Sequence, residues 1–175
     1  MNTSAKQTEN LAECGNKSKP LLANRLFRGF SKKHNCWIYG DLIHTPEKQT
    51  RIINYTDISA DGVDNYVSIN ELVEPSSIGQ FTSAIDKNVE TVCEGDILSK
   101  VEIEKLGGNI QYFYVVKWSS SNDGYRCIQY KLDEDEKGVY WRKIDSSSAI
   151  SMVTCYNHII GTVFENQHLF NRDVE

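Results

Sequence analysis

Val73-Glu-Pro-Ser-Ser-Ile-Gly-Gln-Phe-Thr82, followed by Asp86-Lys-Asn88 and Val92-Cys-Glu-Gly-Asp-Ile-Leu98, sets three turn signals between β-like runs. Pro75 fixes its own φ and pushes Glu74 toward an extended conformation, so the chain bends from this dipeptide onward. Ser76, Ser77 and Gly79 suit a tight bend, the serines through local side-chain hydrogen bonds and the glycine by tolerating positive φ. Ile78 and Phe81 are its apolar anchors. Asp86-Lys87-Asn88 is the second turn. Glu94-Gly95-Asp96 is the third and leads into Ile97-Leu98. Gly95 is expected to supply a backbone angle that a Cβ resists. Asp96 is expected to cap amides of that turn through its carboxylate. Glu94 and Asp96 also read as a carboxylate pair for acid–base or metal chemistry, but turn composition alone accounts for all three residues.

Outward from this stretch the chain reads as short strands. Arg25–Phe30 and Cys36–His44 are expected to form a hairpin across the polar turn 31–35, with Trp37 and Tyr39 on one face. Thr50–Tyr55 is a third strand, 57–65 a loop, and 66–73 a further extended segment. Ile97–Glu104 alternates apolar and charged residues, and Gly107-Gly108-Asn109 is a turn. Ile110–Trp118 is the strongest strand. It is apolar on both faces and therefore central. Tyr125–Leu132 is its hairpin partner, 133–137 an acidic loop, and Val139–Lys143 a short strand before a loop at 145–148. Ile150–Cys155 and His158–Phe164 read as the last strands, and Asn166–Phe170 as a terminal helical turn. The expectation is a mainly β protein with little helix. A flexible leader covers 1–22, an N-terminal hairpin module with the turn-rich loop covers 23–91, and a small SH3-like barrel covers 92–175.

With 175 residues, 39% of them hydrophobic, there is room for one domain or two small modules sharing a core. No apolar run approaches a membrane span, and no apolar signal segment occurs, so no membrane partner is expected. Cys14, Cys36, Cys93, Cys127 and Cys155 are widely spaced and odd in number. They read as reduced thiols in a cytoplasm. Residues 1–33 hold seven Lys/Arg against two Asp/Glu, net +5, and the remainder holds twelve against twenty-two, net −10. An acidic body argues against a broad phosphate-tracking surface.

His34 with Cys36 and Cys155 with His158 would together make a Cys2His2 zinc shell only if the first and last strands met. Without a Cys-x-x-Cys knuckle they read as a polar turn and a core thiol. No nucleophile elbow, P-loop or dinucleotide fingerprint is present. No catalytic, cofactor or metal residue is therefore assigned. Tyr112, Tyr114, Trp118, Tyr125, Tyr130, Tyr140 and Trp141 would suit a stacking platform for single-stranded nucleic acid. Core packing explains most of them. Lys32, Lys33, Lys117, Arg126, Arg142 and Lys143 are the candidate nucleic-acid contacts on that reading.

The ordered set of motifs resembles the YopX family of phage and prophage proteins. Ile78-Gly79-Gln80-Phe81-Thr82, Asp86-Lys87-Asn88 and Cys93-Glu94-Gly95-Asp96-Ile97 follow in the family's order. They are flanked by Leu26-Phe27-Arg28-Gly29 with Trp37-Ile38-Tyr39-Gly40-Asp41-Leu42-Ile43, and by Ile160-Gly161-Thr162-Val163-Phe164-Glu165-Asn166. Gly79, Gln80, Phe81, Thr82, Glu94, Gly95 and Asp96 are the family-motif turn residues. Val89 stands where the family favours Gly, so that turn is expected to be built differently or to pass the left-handed role to Asn88. Cys93 stands where the family favours Tyr. The resemblance implies a fold and a mobile-element origin, with no catalytic residues to transfer. The function expected is a non-enzymatic module that self-assembles or binds another protein, with a nucleic-acid-binding accessory as the alternative.

Overall fold

The computed structural model describes residues 27–57, 66–99, 112–136 and 138–170. The expected leader, the loop at 57–65 beyond its first residue, the later part of 97–104 and the turn at 107–109 lie outside these residues. The protein is mainly β, as expected, with two antiparallel sheets. It divides into two compact units, one through Phe81 and one from Thr82 onward.

In the first unit β1 (Phe27–Ser31), β2 (Cys36–His44), β3 (Thr50–Asp57) and β4 (Tyr66–Leu72) form an antiparallel meander. β5 (Gly79–Ile85) pairs with the other side of β1, through Arg28 opposite Gly79 and Phe27 opposite Gln80. The chain must therefore cross from β4 to the far side of β1, and the Pro75 segment makes that crossing. Pro75–Ser77 is one turn of 3-10 helix. Ser77 Oγ accepts the Phe30 N–H at 2.7 Å and donates to the Glu74 carbonyl at 2.6 Å. The Glu74 N–H donates to the Phe30 carbonyl at 2.9 Å. The bend is thus shorter than expected. Gly79, Gln80, Phe81 and Thr82 are strand residues, because the ladder to β1 takes up the chain directly after Ile78. Cys36, Ile38, Ile52 and Val73 form the core, with Phe27, Leu42 and Ile78 packed on it. Gly40 is obligatory in this sheet, since a Cβ there would lie 2.0 Å from the Ile53 carbonyl oxygen.

The second unit takes in the end of β5, which pairs with β6 (Thr91–Cys93), and a five-stranded sheet. Its order is β10-β9-β8-β7-β11, built from β7 (Asp96–Ser99), β8 (Tyr112–Ser119), β9 (Gly124–Asp135), β10 (Gly138–Ala149) and β11 (His158–Thr162). β8 is central and packed on both sides. Tyr114 and Val116 join Val92, Leu98, Cys127 and Val153 on one face. Val115 joins Ile97, Tyr130 and Trp141 on the other.

Further expectations change here. The expected acidic loop at 133–137 begins as strand, because β9 runs on through Asp133 and Glu134 to Asp135, paired with β10. The sheet is open, with β10 and β11 at its ends, so closure into an SH3-like barrel is not seen among the described residues. Ile150–Thr154 is a short helix, α1, rather than a strand. Its Ile and Val content favours strands, but Ile150 and Val153, three residues apart, both face the same core. The expected loop at 145–148 is part of β10, which absorbs a register shift between Lys143 and Ser147 instead of ending.

Candidate functional site

The family-motif turns of the second unit are bound to one another. Asp96 is fully buried, and its Oδ2 accepts the Cys93 N–H at 2.7 Å, the cap expected of it. Gly95 sits at φ +81° with open space where a Cβ would project. Its N–H donates to the Val116 carbonyl at 2.8 Å, and its carbonyl accepts the Val163 N–H at 2.9 Å. Glu94 Oε1 accepts the Trp118 N–H at 3.1 Å. Both carboxylates of the supposed catalytic pair thus hold backbone amides. Tyr125 stands near Glu94, and its hydroxyl is pushed up to about 12, first by burial and then by the negative charges of Glu94 and Cys93. The motif near the C-terminus closes in the same way. Thr162 Oγ1 donates to Glu165 Oε2 at 2.8 Å and accepts the Glu165 N–H at 3.2 Å, while Asn166 Nδ2 donates to the Thr162 carbonyl at 2.9 Å.

Asp86 is the hub of the remaining turn. Oδ1 accepts the N–H groups of Asn88 and Glu90, each at 2.8 Å. Oδ2 reaches across to the Ile159 N–H in β11 at 2.9 Å. The Lys87 N–H donates to the Asn157 carbonyl at 3.0 Å. These bonds bring two distant segments side by side, and both carry exposed apolar side chains. Val89 is 63% exposed, Met152 71% and Tyr156 79%, and Ile85 and Ile160 are exposed as well. Met152 lies in the helix, and Tyr156 lies two residues past its end, its N–H donating to the Val153 carbonyl at 3.3 Å. The sequence reading missed this surface. Only the Asp86 turn was visible, and nothing local marks its bond to a residue 73 positions away.

Val89 itself holds φ +66°. Neither alternative expected of this turn holds, since Val89 itself and not Asn88 takes the left-handed angle. Asp86 Oδ1 fixes the amides on both sides of Val89, which leaves the angle at that residue. A β-branched side chain there costs about 1–2 kcal/mol. Val89→Gly removes that strain and adds unfolded-chain entropy of about 0.5–1 kcal/mol. The expected net is a gain of about 0.5–1 kcal/mol, read as a melting point about 2–3 °C higher.

The other candidates are dispersed or structural. Of the aromatics, Tyr114, Tyr130 and Trp141 are buried, while Trp118 and Tyr125 meet edge-on at 5.1 Å. Lys117 is paired directly opposite Arg126, and Arg126 Nη2 donates to the Ser147 carbonyl at 3.2 Å. Arg142, in register with Lys131 and bonded to Asp133 at 2.8 Å, lies on the other face of the sheet. That contact holds the Asp133 carboxyl below the usual range. Lys143 is exposed, as are Lys32 and Lys33 in the first unit, and Lys32 reaches Glu74 at 2.8 Å.

In the first unit buried Ser31 donates to Glu71 Oε1 at 3.2 Å, and His34 Nε2 lies 3.3 Å from Glu71 Oε2. The sequence reading missed this group, whose members are 40 residues apart. It is not a hydrolase relay, because the histidine faces the carboxylate and only its backbone N–H meets Ser31 Oγ. His34 is the polar turn expected of it. Cys155 is exposed, so it is not the core thiol expected, and its Sγ donates to the Ser151 carbonyl at 3.1 Å. Among the described residues no three His, Cys, Asp or Glu come together as a metal group. Cys127 is pushed up to about 12 by burial, and Cys36 and Cys93 are buried. A thiol reagent at neutral pH is therefore expected to modify Cys155 in the native protein and these three only on unfolding, as peptide mass mapping would read. Among the described residues no helix is long and apolar enough to cross a membrane.

No curated protein matches the sequence. The family described as YopX protein matches residues 26–171. The chain belongs to the YopX family, whose members are phage-type proteins.

Proposed function

We propose that this chain is a non-enzymatic, prophage-encoded protein-interaction module that works through the apolar surface around Asp86. The observation that carries this reading is the exposure of Ile85, Val89, Met152, Tyr156 and Ile160 on the two segments that the Asp86 carboxylate joins. Contiguous exposed apolar side chains on a rigid frame are characteristic of contact sites. The carboxylates that would serve chemistry are engaged by backbone amides. Of the basic residues in the second sheet, Lys117, Arg126 and Lys143 share one face by register and Arg142 lies on the other, bonded to Asp133.

The test is native sizing of the full chain beside Met152→Ser/Tyr156→Ser. The wild type is expected to run as a protein-only complex. The double variant, folded by its melting curve, is expected to run as a single chain. Co-eluting nucleic acid that is released by salt and by reversing Lys117 and Arg126 would overturn the reading.

A further inference from the structure

We infer that Trp118, Tyr125 and Glu94 form a site for one cationic side chain, Lys or Arg, of a protein partner. The inference takes from the interaction reading above that the partner is a protein, and it names residues which that reading does not use. Trp118 is 53% exposed, although an indole is among the largest apolar groups a core can take. Its ring is held in place all the same. Tyr125 lies directly opposite in register, and the two rings meet at 5.1 Å with planes 78° apart. Two near-perpendicular rings make two walls of a corner. Glu94 stands at the same corner. Its Oε1 accepts the Trp118 backbone N–H at 3.1 Å, and burial and then the Glu94 charge push the Tyr125 hydroxyl up to about 12. The three side chains are therefore mutual neighbours.

The chemistry of the corner selects its ligand. An aromatic face attracts a cation through the ring quadrupole, and tryptophan does so best. A carboxylate beside that face adds a full opposite charge. Together they favour an ammonium or guanidinium over a neutral or anionic group. The first unit satisfies the same attraction internally, where the Arg28 guanidinium stands 4.7 Å over the Trp37 ring. Among the described residues no Lys or Arg stands over Trp118. Lys117 and Arg126 are the neighbouring pair in the ladder, and strand alternation projects them from the opposite face. The turn that joins β8 to β9 carries a further exposed acid, Asp123. The net charge of −10 over residues 34–175 favours the approach of a basic partner surface.

NMR titration of the full chain with end-blocked peptides tests this, followed at the Trp118 indole N–H and the Tyr125 amide. The probes are Gly-Lys-Gly, Gly-Arg-Gly and Gly-norleucine-Gly, the last keeping the methylene stem without the charge. The Lys and Arg probes are expected to shift both resonances to saturation, and the norleucine probe to shift neither. Glu94→Gln keeps an oxygen for the Trp118 N–H but removes the charge. Trp118→Leu keeps an apolar body but removes the ring, and is read at the Tyr125 amide. Each variant, folded by its melting curve, is expected to bind the Lys probe about two- to fivefold more weakly. Equal shifts with the norleucine probe would overturn the inference, since the corner would then be an apolar contact only. No shift with either charged probe, or an affinity unmoved by both substitutions, would overturn it as well. None of these probes depends on Met152 or Tyr156, so this site and the interaction reading can fail separately.

Discussion

Asp86→Ala is expected to destabilise the protein by about 3–4 kcal/mol, measured by urea denaturation. The carboxylate is 4% exposed and accepts three backbone N–H groups, from Asn88, Glu90 and Ile159. Hydrogen bonds to a charged acceptor contribute about 1.5–3 kcal/mol each, and losing the acceptor leaves donors without partners in a shielded place. Alanine offers them nothing. Asp86→Asn keeps one oxygen but turns an NH2 toward an N–H on one side of the turn, so it is expected to recover less than half of the loss. The two segments bearing the apolar surface would then separate, and assembly would fail in both variants before global unfolding. A loss below about 1 kcal/mol in the alanine variant would show that the hub is dispensable.

Trp141→Ala is expected to cost about 3–5 kcal/mol. Trp141 stacks on Phe113 with centroids 4.5 Å apart and planes 8° apart, and Phe170 meets its face edge-on at 4.9 Å. Phe170 also packs on Tyr130 at 5.2 Å, so the indole closes a four-ring cluster on one face of the second sheet. Trp141→Phe retains the stack and is expected to cost less than half as much. The same substitution separates two readings of the aromatics. In a nucleic-acid platform Trp141→Ala would lower binding at unchanged stability. As a core residue it lowers stability first, and thermal melting reads the difference.

Local chemistry was legible where it is decided locally. Gly95 announces a positive φ and Asp96 a cap, and both hold because the turn's own four residues determine them. The strands β2, β3 and β8 follow from period-2 alternation and were read close to their bounds. The misreadings come from tertiary bonds. Val89 is forced into the left-handed region by a carboxylate that grips the amides around it, against its own preference. Ile150–Thr154 coils because one core accepts Ile150 and Val153 together, which a window of β-branched residues conceals. β10 runs through the polar residues 145–148 because β9 offers a partner there. The candidate surface was illegible for the same reason: Asp86 and Ile159 are far apart in sequence and joined by a single side chain.

The Asp86 turn thus holds a frame, and the proposed contact surface is the set of exposed apolar side chains on the segments it joins. Light scattering on a sizing column, with the 260/280 nm absorbance ratio read across the peak, tests this most directly. The account predicts a mass above that of the single 19.9 kDa chain with the ratio of pure protein. A single-chain mass with raised absorbance at 260 nm would contradict it.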